Sequence, residues 1–465
     1  MSAGYGDLPF LQVDRSEGTP LARQLFVRLR EAIEQGRITN GFRLPSTRDL
    51  ARDLGVARNT VLTAYDLLAA HGLAESRIGA GTLVTDRAPT PSRAAEPSPQ
   101  PKSVFRLGVP PLDVFPVREW LRMMSLQLRR PIGSLVAEDP AGALALRRAL
   151  AQHLGAFRGV RCDAAQIVIT AGEQQALQVI ARALDLADRR VWIEDPGCRD
   201  ARRTFADFYA NTVGVPVDGE GIDVEAGMAR AADASAAFVT PARQFPTGVS
   251  MSSARRWQLI NWANRSGAWI VENDFEGELE LHGRSTQSLQ GQFPNAPIIY
   301  VGTVAPLLAP LVRIAFIVAP RALSRRMIEA RELTGDRVSE VDQAMLACFI
   351  ETGRLANYIR ALRAELRRRQ EVLLRELAGQ LRGFIRRVSG TEGGLRVLLT
   401  LRSTCDATAI SNELLRRGVE APTLSSFAIE AATPPALLLG YACIHPDDMG
   451  RAVAELRAAL EKQAA

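Results

Sequence analysis

Lysine is nearly missing from this 465-residue chain: of its 57 basic side chains only Lys102 and Lys462 are lysines, and all others are arginine. Chemistry that needs a lysine amine, such as Schiff-base formation, therefore has no donor side chain between residues 103 and 461. Cysteine is sparse and scattered. Cys162, Cys198, Cys348, Cys405 and Cys443 show no C-x-x-C spacing, which argues against a zinc site or a disulfide framework and suits a reducing compartment. Long apolar runs are lacking too, since nothing approaches the roughly 18 residues of a membrane-spanning helix. Residues 1–10 carry no basic region followed by an apolar one, so a secretory leader is not expected and a cytoplasmic location is. Charge of one sign is also modest. The chain is +6 overall, yet residues 1–86 hold ten Arg and ten Asp plus Glu. Any affinity of that region for an anion must come from where its charges sit.

With 47% hydrophobic and 23% charged residues, the chain has the mix of a globular protein with a large core, and its length suggests about three units. Residues 87–102, RAPTPSRAAEPSPQPK, have no apolar period and read as an extended linker. Before it, Pro20 opens an amphipathic helix carrying Leu21, Leu25, Leu29 and Ile33 that ends at Gly36. Ser46 caps a short helix, Thr47–Leu54, stopped by Gly55. Arg58–Ala70 forms a third helix with Val61, Ala64, Tyr65 and Leu68 on one face. Residues 74–78 and 82–85 then read as two strands around Gly79-Ala80-Gly81.

Beyond the linker, apolar runs at 166–170, 190–194, 236–240, 269–273 and 298–302 alternate with helical patterns at 174–186, 253–265 and 323–334. That alternation predicts a doubly wound, mostly parallel sheet. A basic amphipathic helix over 355–381 leads into a smaller α+β part. The expected organisation is a winged helix-turn-helix at 1–86, a linker at 87–104, an α/β domain at 105–383 and a small α+β subdomain at 384–465.

The segment from Pro20 to Val84, with P-L-A-R-Q-L, G-F-R-L-P-S-T-R-D-L-A-R-D-L-G-V-A-R-N-T-V and H-G-L-A-E-S-R-I-G-A-G-T-L-V in order, resembles the winged-helix domain of the GntR superfamily. The resemblance implies binding to double-stranded DNA. The third helix would present Arg58, Asn59 and Thr60 to the major groove, Arg48 and Ser46 would touch the backbone beside it, Gly81 flanked by Arg77 would let the wing approach the minor groove, and Arg43 would also contact DNA. The alternative is that Arg43, Arg48, Arg52 and Arg58 pair with Asp49 and Asp53 on a solvated face.

From Phe105 onward, I-T-A-G-E-Q-Q-A-L (169–177), W-I-E-D-P-G (192–197), T-P-A-R-Q-F-P-T-G (240–248), I-V-E-N-D-F-E-G-E (270–278) and Y-V-G-T-V-A-P-L-L-A-P (300–310) resemble the aminotransferase-like domain of the MocR subfamily. That domain has the type I fold of pyridoxal-phosphate enzymes, and the subfamily's members usually sense that cofactor. The resemblance also marks what this chain lacks. Pro306 occupies the family's lysine position, and Asn273 that of the aspartate facing the pyridinium nitrogen. Phe275 stands for a tyrosine, Cys198 for the stacking aromatic and Ala137 for a phosphate-side tyrosine. Asp274, next to Asn273, points to the other face of its strand and does not substitute for it.

Thr303 and Arg313 keep phosphate-anchor positions, and Glu173, at the start of a helix, is expected to stand in for the phosphate by pairing with Arg313. Arg243 reads as a surface arginine, with an acidic effector as the other reading. Arg367-Arg368-Arg369 reads as a solvated face and Cys198 as inert packing. The expected function is a DNA-binding, homodimeric transcriptional regulator with a catalytically dead domain, no Schiff-base cofactor and a possible small-molecule effector. Non-covalent sensing of pyridoxal phosphate is the alternative, and an aminotransferase the remote one.

Overall fold

The computed structural model of the chain describes residues 11–15, 18–77, 81–85, 104–129, 139–282 and 286–464. It divides into two compact units, 1–100 and 101–465. In the first, α1 (Leu21–Glu34), α2 (Thr47–Leu54) and α3 (Arg58–Ala70) precede an antiparallel hairpin of β1 (Ala74–Arg77) and β2 (Gly81–Val84). The helical spacing sets the core: Leu25, Leu29 and Ile33 from α1 meet Leu50 from α2 and Val61, Ala64 and Leu68 from α3. Ser46 accepts the Asp49 N–H at 3.2 Å and caps α2. The Tyr65 hydroxyl donates to the Pro45 carbonyl at 2.9 Å, which ties α3 to the entry of α2. Residues 78–80, expected to end β1 and turn the wing, lie outside the described residues.

The second unit is built on an eight-stranded sheet. Its strands are β3 (Ile167–Thr170), β4 (Arg190–Asp195), β5 (Asn211–Asp218), β6 (Gly221–Ile222), β7 (Ala236–Val239), β8 (Trp269–Asp274), β9 (Ile298–Thr303) and β10 (Ala315–Val318). They lie in the order β3-β10-β9-β8-β7-β4-β5-β6. The run β9-β8-β7-β4-β5 is parallel, while β10 runs against both its neighbours. All five expected strands and the doubly wound class are present. Strands β3, β7 and β10 are buried along their whole length, as helices on both faces require.

A three-stranded antiparallel sheet, β11 (Ile385–Ser389), β12 (Arg396–Leu401) and β13 (Ala436–Gly440), follows. Residues near the expected linker end join this smaller sheet's surroundings: Glu420 donates to the Val104 carbonyl and Gly440 to that of Phe105, each at 2.9 Å. Among the described residues no helix is long and apolar enough to cross a membrane.

The helix Arg354–Gln380 corrects one expectation. Arg367 donates to the Leu281 carbonyl at 2.9 Å. Arg369 is 1% exposed, pairs with Asp113 and Glu365, and donates to the Ala442 carbonyl at 2.6 Å. Arg367 and Arg368 are exposed, as expected, and only Arg369 is buried. The run straddles the helix, and its third residue falls on the buried side.

One buried ion pair anchors the centre of the large sheet. Arg158 donates to Asp274 from Nε at 2.6 Å and to the Gly277 carbonyl from Nη1 at 2.9 Å, and the Tyr300 hydroxyl adds a bond to the same carboxylate at 2.8 Å. Breaking a buried pair leaves one charge uncompensated. Asp274→Ala is therefore expected to lower unfolding stability by about 3–5 kcal/mol, measured by urea denaturation against the parent protein.

Candidate functional site

In the first unit the expected contact residues fall at the start of α3 and around α2. Arg48, Arg58 and Asn59 are exposed and Thr60 is half-buried. Arg58 Nε donates to Thr47 Oγ1 at 3.2 Å, which holds its guanidinium beside α2. The pairing alternative is only partly realised. Arg52 takes both acids, Asp49 at 2.9 Å and Asp53 at 3.7 Å, and Arg43, Arg48 and Arg58 form no ion pair among the described residues. A hydrogen bond from Ser46, followed by Arg52, holds the Asp49 carboxyl below its ordinary value. The Ser46 hydroxyl is thus engaged within its own cap, where it donates to Asp49 at 2.6 Å. Gly81 has a nearer reason to be glycine than wing-tip clearance. Its φ is +86°, and a Cβ there would stand 2.9 Å from Arg43 Nε. The Arg77 side chain lies outside the described residues.

In the second unit the carboxyl ends of β3, β4, β7, β8 and β9 open onto one cavity of about 360 Å³, the crevice where open α/β sheets bind ligands. Glu173, Cys198, Asn273, Phe275, Thr303 and Arg313 line it, while Pro306 does not: it is buried in the short helix Ala305–Leu308 and borders a separate small cavity. Sequence reasoning missed Phe245, Glu276, Arg396 and Phe427 on the wall. An arginine opening the otherwise apolar strand β12 was the available signal for Arg396. Asp195 accepts three backbone N–H groups, from Ile429, Glu430 and Ala431, at 2.7–2.9 Å, which holds the loop carrying Phe427 over the cavity.

Glu173 does not pair with Arg313. Its Oε1 accepts from Asn273 Nδ2 at 2.8 Å, and Arg313 lies exposed along Gly172 with no ion pair among the described residues. The helix start placed the carboxyl correctly, but the amide on β8 reaches it first. Burial, with Asp200 nearby, pushes Glu173 up to about 7 against the Asn273 hydrogen bond. Burial and the Glu173 charge push the Cys198 thiol up to about 12, which keeps it protonated and suits inert packing. Arg243, expected at the surface, lines the cavity instead, with Nη1 shielded and unpartnered.

These side chains do not fit Schiff-base-bound pyridoxal phosphate. No lysine lines the cavity, and the one described lysine, Lys462, pairs with Glu413 at 3.0 Å. The Asn273 amide faces the ring site without a charge and with Oδ1 unpartnered. The Thr303 hydroxyl donates to the Ile314 carbonyl at 3.2 Å, and the Glu173 carboxyl occupies the helix start that would face the phosphate. Ala137 lies outside the described residues.

Residues 21–84 match the family model of bacterial regulatory proteins, gntR family, and residues 133–456 match that of aminotransferase class I and II. The probable rhizopine catabolism regulatory protein MocR of Rhizobium meliloti is 32% identical, with 97% of this chain and 95% of the relative covered. The HTH-type pyridoxine biosynthesis transcriptional regulator PdxR of Corynebacterium glutamicum is 28% identical, with 97% and 98% covered. Among solved structures, an archaeal alanine:glyoxylate aminotransferase superposes with a TM-score of 0.72 at 20% identity, covering 78% of this chain and 91% of its own. At that identity it shows the fold alone.

The raised Glu173 carboxyl makes stability depend on pH. Its ordinary value is 4.5 and its folded value about 7, so the folded chain binds this proton more tightly than the unfolded one. The associated stability is complete below pH 4.5 and is lost as pH rises through about 7. Glu173→Gln keeps an acceptor for Asn273 and removes the titration. Its melting temperature should match the parent's near the low end of that window and exceed it above the high end, read by thermal melts across pH.

Proposed function

Since the chain belongs to the MocR subfamily of gntR-family transcriptional regulators, a DNA-binding winged helix-turn-helix joined to an aminotransferase-like domain, we propose that its first unit reads DNA through Arg43, Arg48, Arg58, Asn59 and Thr60. The single observation that carries this reading is the distribution of acid partners. Arg52 takes both Asp49 and Asp53, which leaves three neighbouring arginines available to phosphates and base edges although the region is neutral in sum. Ser46, engaged in its cap, contributes by fixing α2. Gly81 and Arg77 belong to the wing.

The second unit acts as a homodimerising effector domain without catalysis. What supports the loss of catalysis is Pro306 at the family's lysine position and Asn273 at its aspartate position, since transamination needs both the amine and the charge. What supports dimerisation is the helix Val117–Leu128, on which Val117, Leu121 and Leu128 lie on one face and are each more than half exposed. A stripe of that kind on a lone chain is a partner surface, and a second copy is the simplest occupant.

Arg48→Ala should weaken binding to a duplex selected from a random-sequence pool, and to unselected duplexes alike, while lowering the slope of log affinity against log salt by about one. Fluorescence anisotropy over a potassium chloride series measures both. Leu121→Glu should halve the mass found by light scattering, with the circular dichroism spectrum unchanged. A monomeric parent protein would contradict the dimer.

A further inference from the structure

The strongest unassigned feature is the arginine that was expected at the surface. Arg243 follows β7 and runs along the glycine pair ahead of β12: a Cβ on Gly393 would stand 2.5 Å from its Nη2, and one on Gly394 3.1 Å from its Cδ. The same Cβ atoms would also meet the Leu279 carbonyl and the Glu276 carboxylate, so the bare glycine pair is where Arg243, Glu276 and the 279–280 backbone all come close. Yet it makes no hydrogen bond or ion pair with any described residue, and Nη1 is sealed from water without a partner. Burial, with the Arg396 charge alongside, holds its proton affinity below the ordinary guanidinium value. The nearby carboxylate is already taken: Glu276 binds Arg396 Nη1 at 2.8 Å and accepts the Leu395 N–H at 3.3 Å. Arg396 lies 4.4 Å over the Phe245 ring and has its own Nε buried and unpartnered.

Elsewhere in the cavity the unmet need has the opposite sense. Asn273 is 4% exposed; its Nδ2 is spent on Glu173, and its Oδ1 is a buried acceptor with no donor. Phe275, Phe245 and Phe427 supply apolar wall. Buried polar groups are ordinarily satisfied, and a cation left in this state is what an anionic ligand repairs. At the Arg243 end of the cavity Arg396 and Glu276 neutralise one another, so Arg243 contributes one positive charge there, which a single carboxylate matches; Arg313, the other lining arginine without an ion pair among the described residues, lies exposed along Gly172.

We propose that this cavity binds a small organic acid, its carboxylate received by Arg243 beside Arg396 and a hydrogen-bond donor on its body meeting Asn273 Oδ1. This rests on the reading that no Schiff-base cofactor fills the cavity. The probes are straight-chain acids of two to six carbons, plain and ω-hydroxylated, with the corresponding diols, titrated calorimetrically into the full-length protein. At least one hydroxy acid binds, more tightly than its plain counterpart, and the diols do not. Arg243→Gln weakens that acid by about thirtyfold or more, and Arg243→Lys restores part of the loss. Without acid, Arg243→Gln melts no lower than the parent, because a buried unpaired charge has been removed; with acid it melts lower.

The assignment is overturned if no acid binds, if Arg243→Gln binds acids as well as the parent, or if that variant is destabilised without ligand. Pyridoxal phosphate added to the same preparations separates the two levels of the reading. A stoichiometric Schiff base, trapped as a secondary amine by borohydride reduction, would refute the cofactor-free cavity. Acids that fail to bind a protein forming no such adduct would refute the carboxylate assignment alone.

Discussion

The ion pair between Arg158 and Asp274 is the constraint on which the second unit's cavity depends. It is buried on both sides, so Asp274 is committed to the side of β8 that faces Arg158 and Tyr300. Strand alternation then sends Asn273 to the opposite face, into the cavity. The turn after β8 is fixed by the Arg158 bond to the Gly277 carbonyl, and that turn carries Phe275 and Glu276. Glu276 in turn holds Arg396 of the smaller sheet. A charge pair that never touches the cavity thus positions four of its walls. It also explains why Asp274, although adjacent to Asn273, does not reach the cavity.

The parts legible in the sequence were those set by local pattern. The helix 47–54 has the expected limits because Ser46 caps it and Gly55 ends it, and 58–70 because its apolar positions keep the helical spacing from the turn at 55–57 to Gly72. The five expected strands, β3, β4, β7, β8 and β9, are apolar runs flanked by turns. Strand β5 escaped because Gly214 and Pro216 break its pattern; Pro216 is tolerated close to the sheet's edge. Strand β10 lies in an apolar stretch, 311–319, broken only by Arg313, which periodicity does not separate from a helix. What stayed hidden was decided by distant partners. Arg243 sits in a polar-looking loop, and its burial comes from Gly393 and Gly394, far along the chain. Arg369 is hidden in a basic run, and Asp113 and Ala442 draw it inward. Glu173 was correctly placed at a helix start, yet its partner was settled by a competition between Asn273 and Arg313 that no spacing rule resolves.

The winged helix-turn-helix illustrates the same division for charge. Counting residues predicts a neutral unit with no electrostatic preference. Geometry assigns both acids of α2 to Arg52, and the neutral total becomes a paired patch beside arginines with no acid of their own. Surface pairs of this kind contribute little stability. Their consequence here is local: they leave Arg43, Arg48 and Arg58 without an acid partner among the described residues, and placement rather than net charge then sets the attraction for a polyanion.

The second unit has the complementary arrangement, with charge left unpaired in the interior. Its cavity is walled from two sheets: Asn273, Phe275 and Arg243 come from the ends of the eight-stranded sheet, and Arg396 from the start of β12 in the three-stranded one. A molecule that satisfies Arg243 must also contact the smaller sheet, because the arginine lies against Gly393 and Gly394. Its binding free energy therefore favours arrangements in which the two sheets keep their present separation, and favours them only by the difference in affinity between closed and open forms. An aminotransferase-like fold has that mechanical property with no lysine on its cavity wall, since it resides in the placement of the two sheets and not in any chemistry between them.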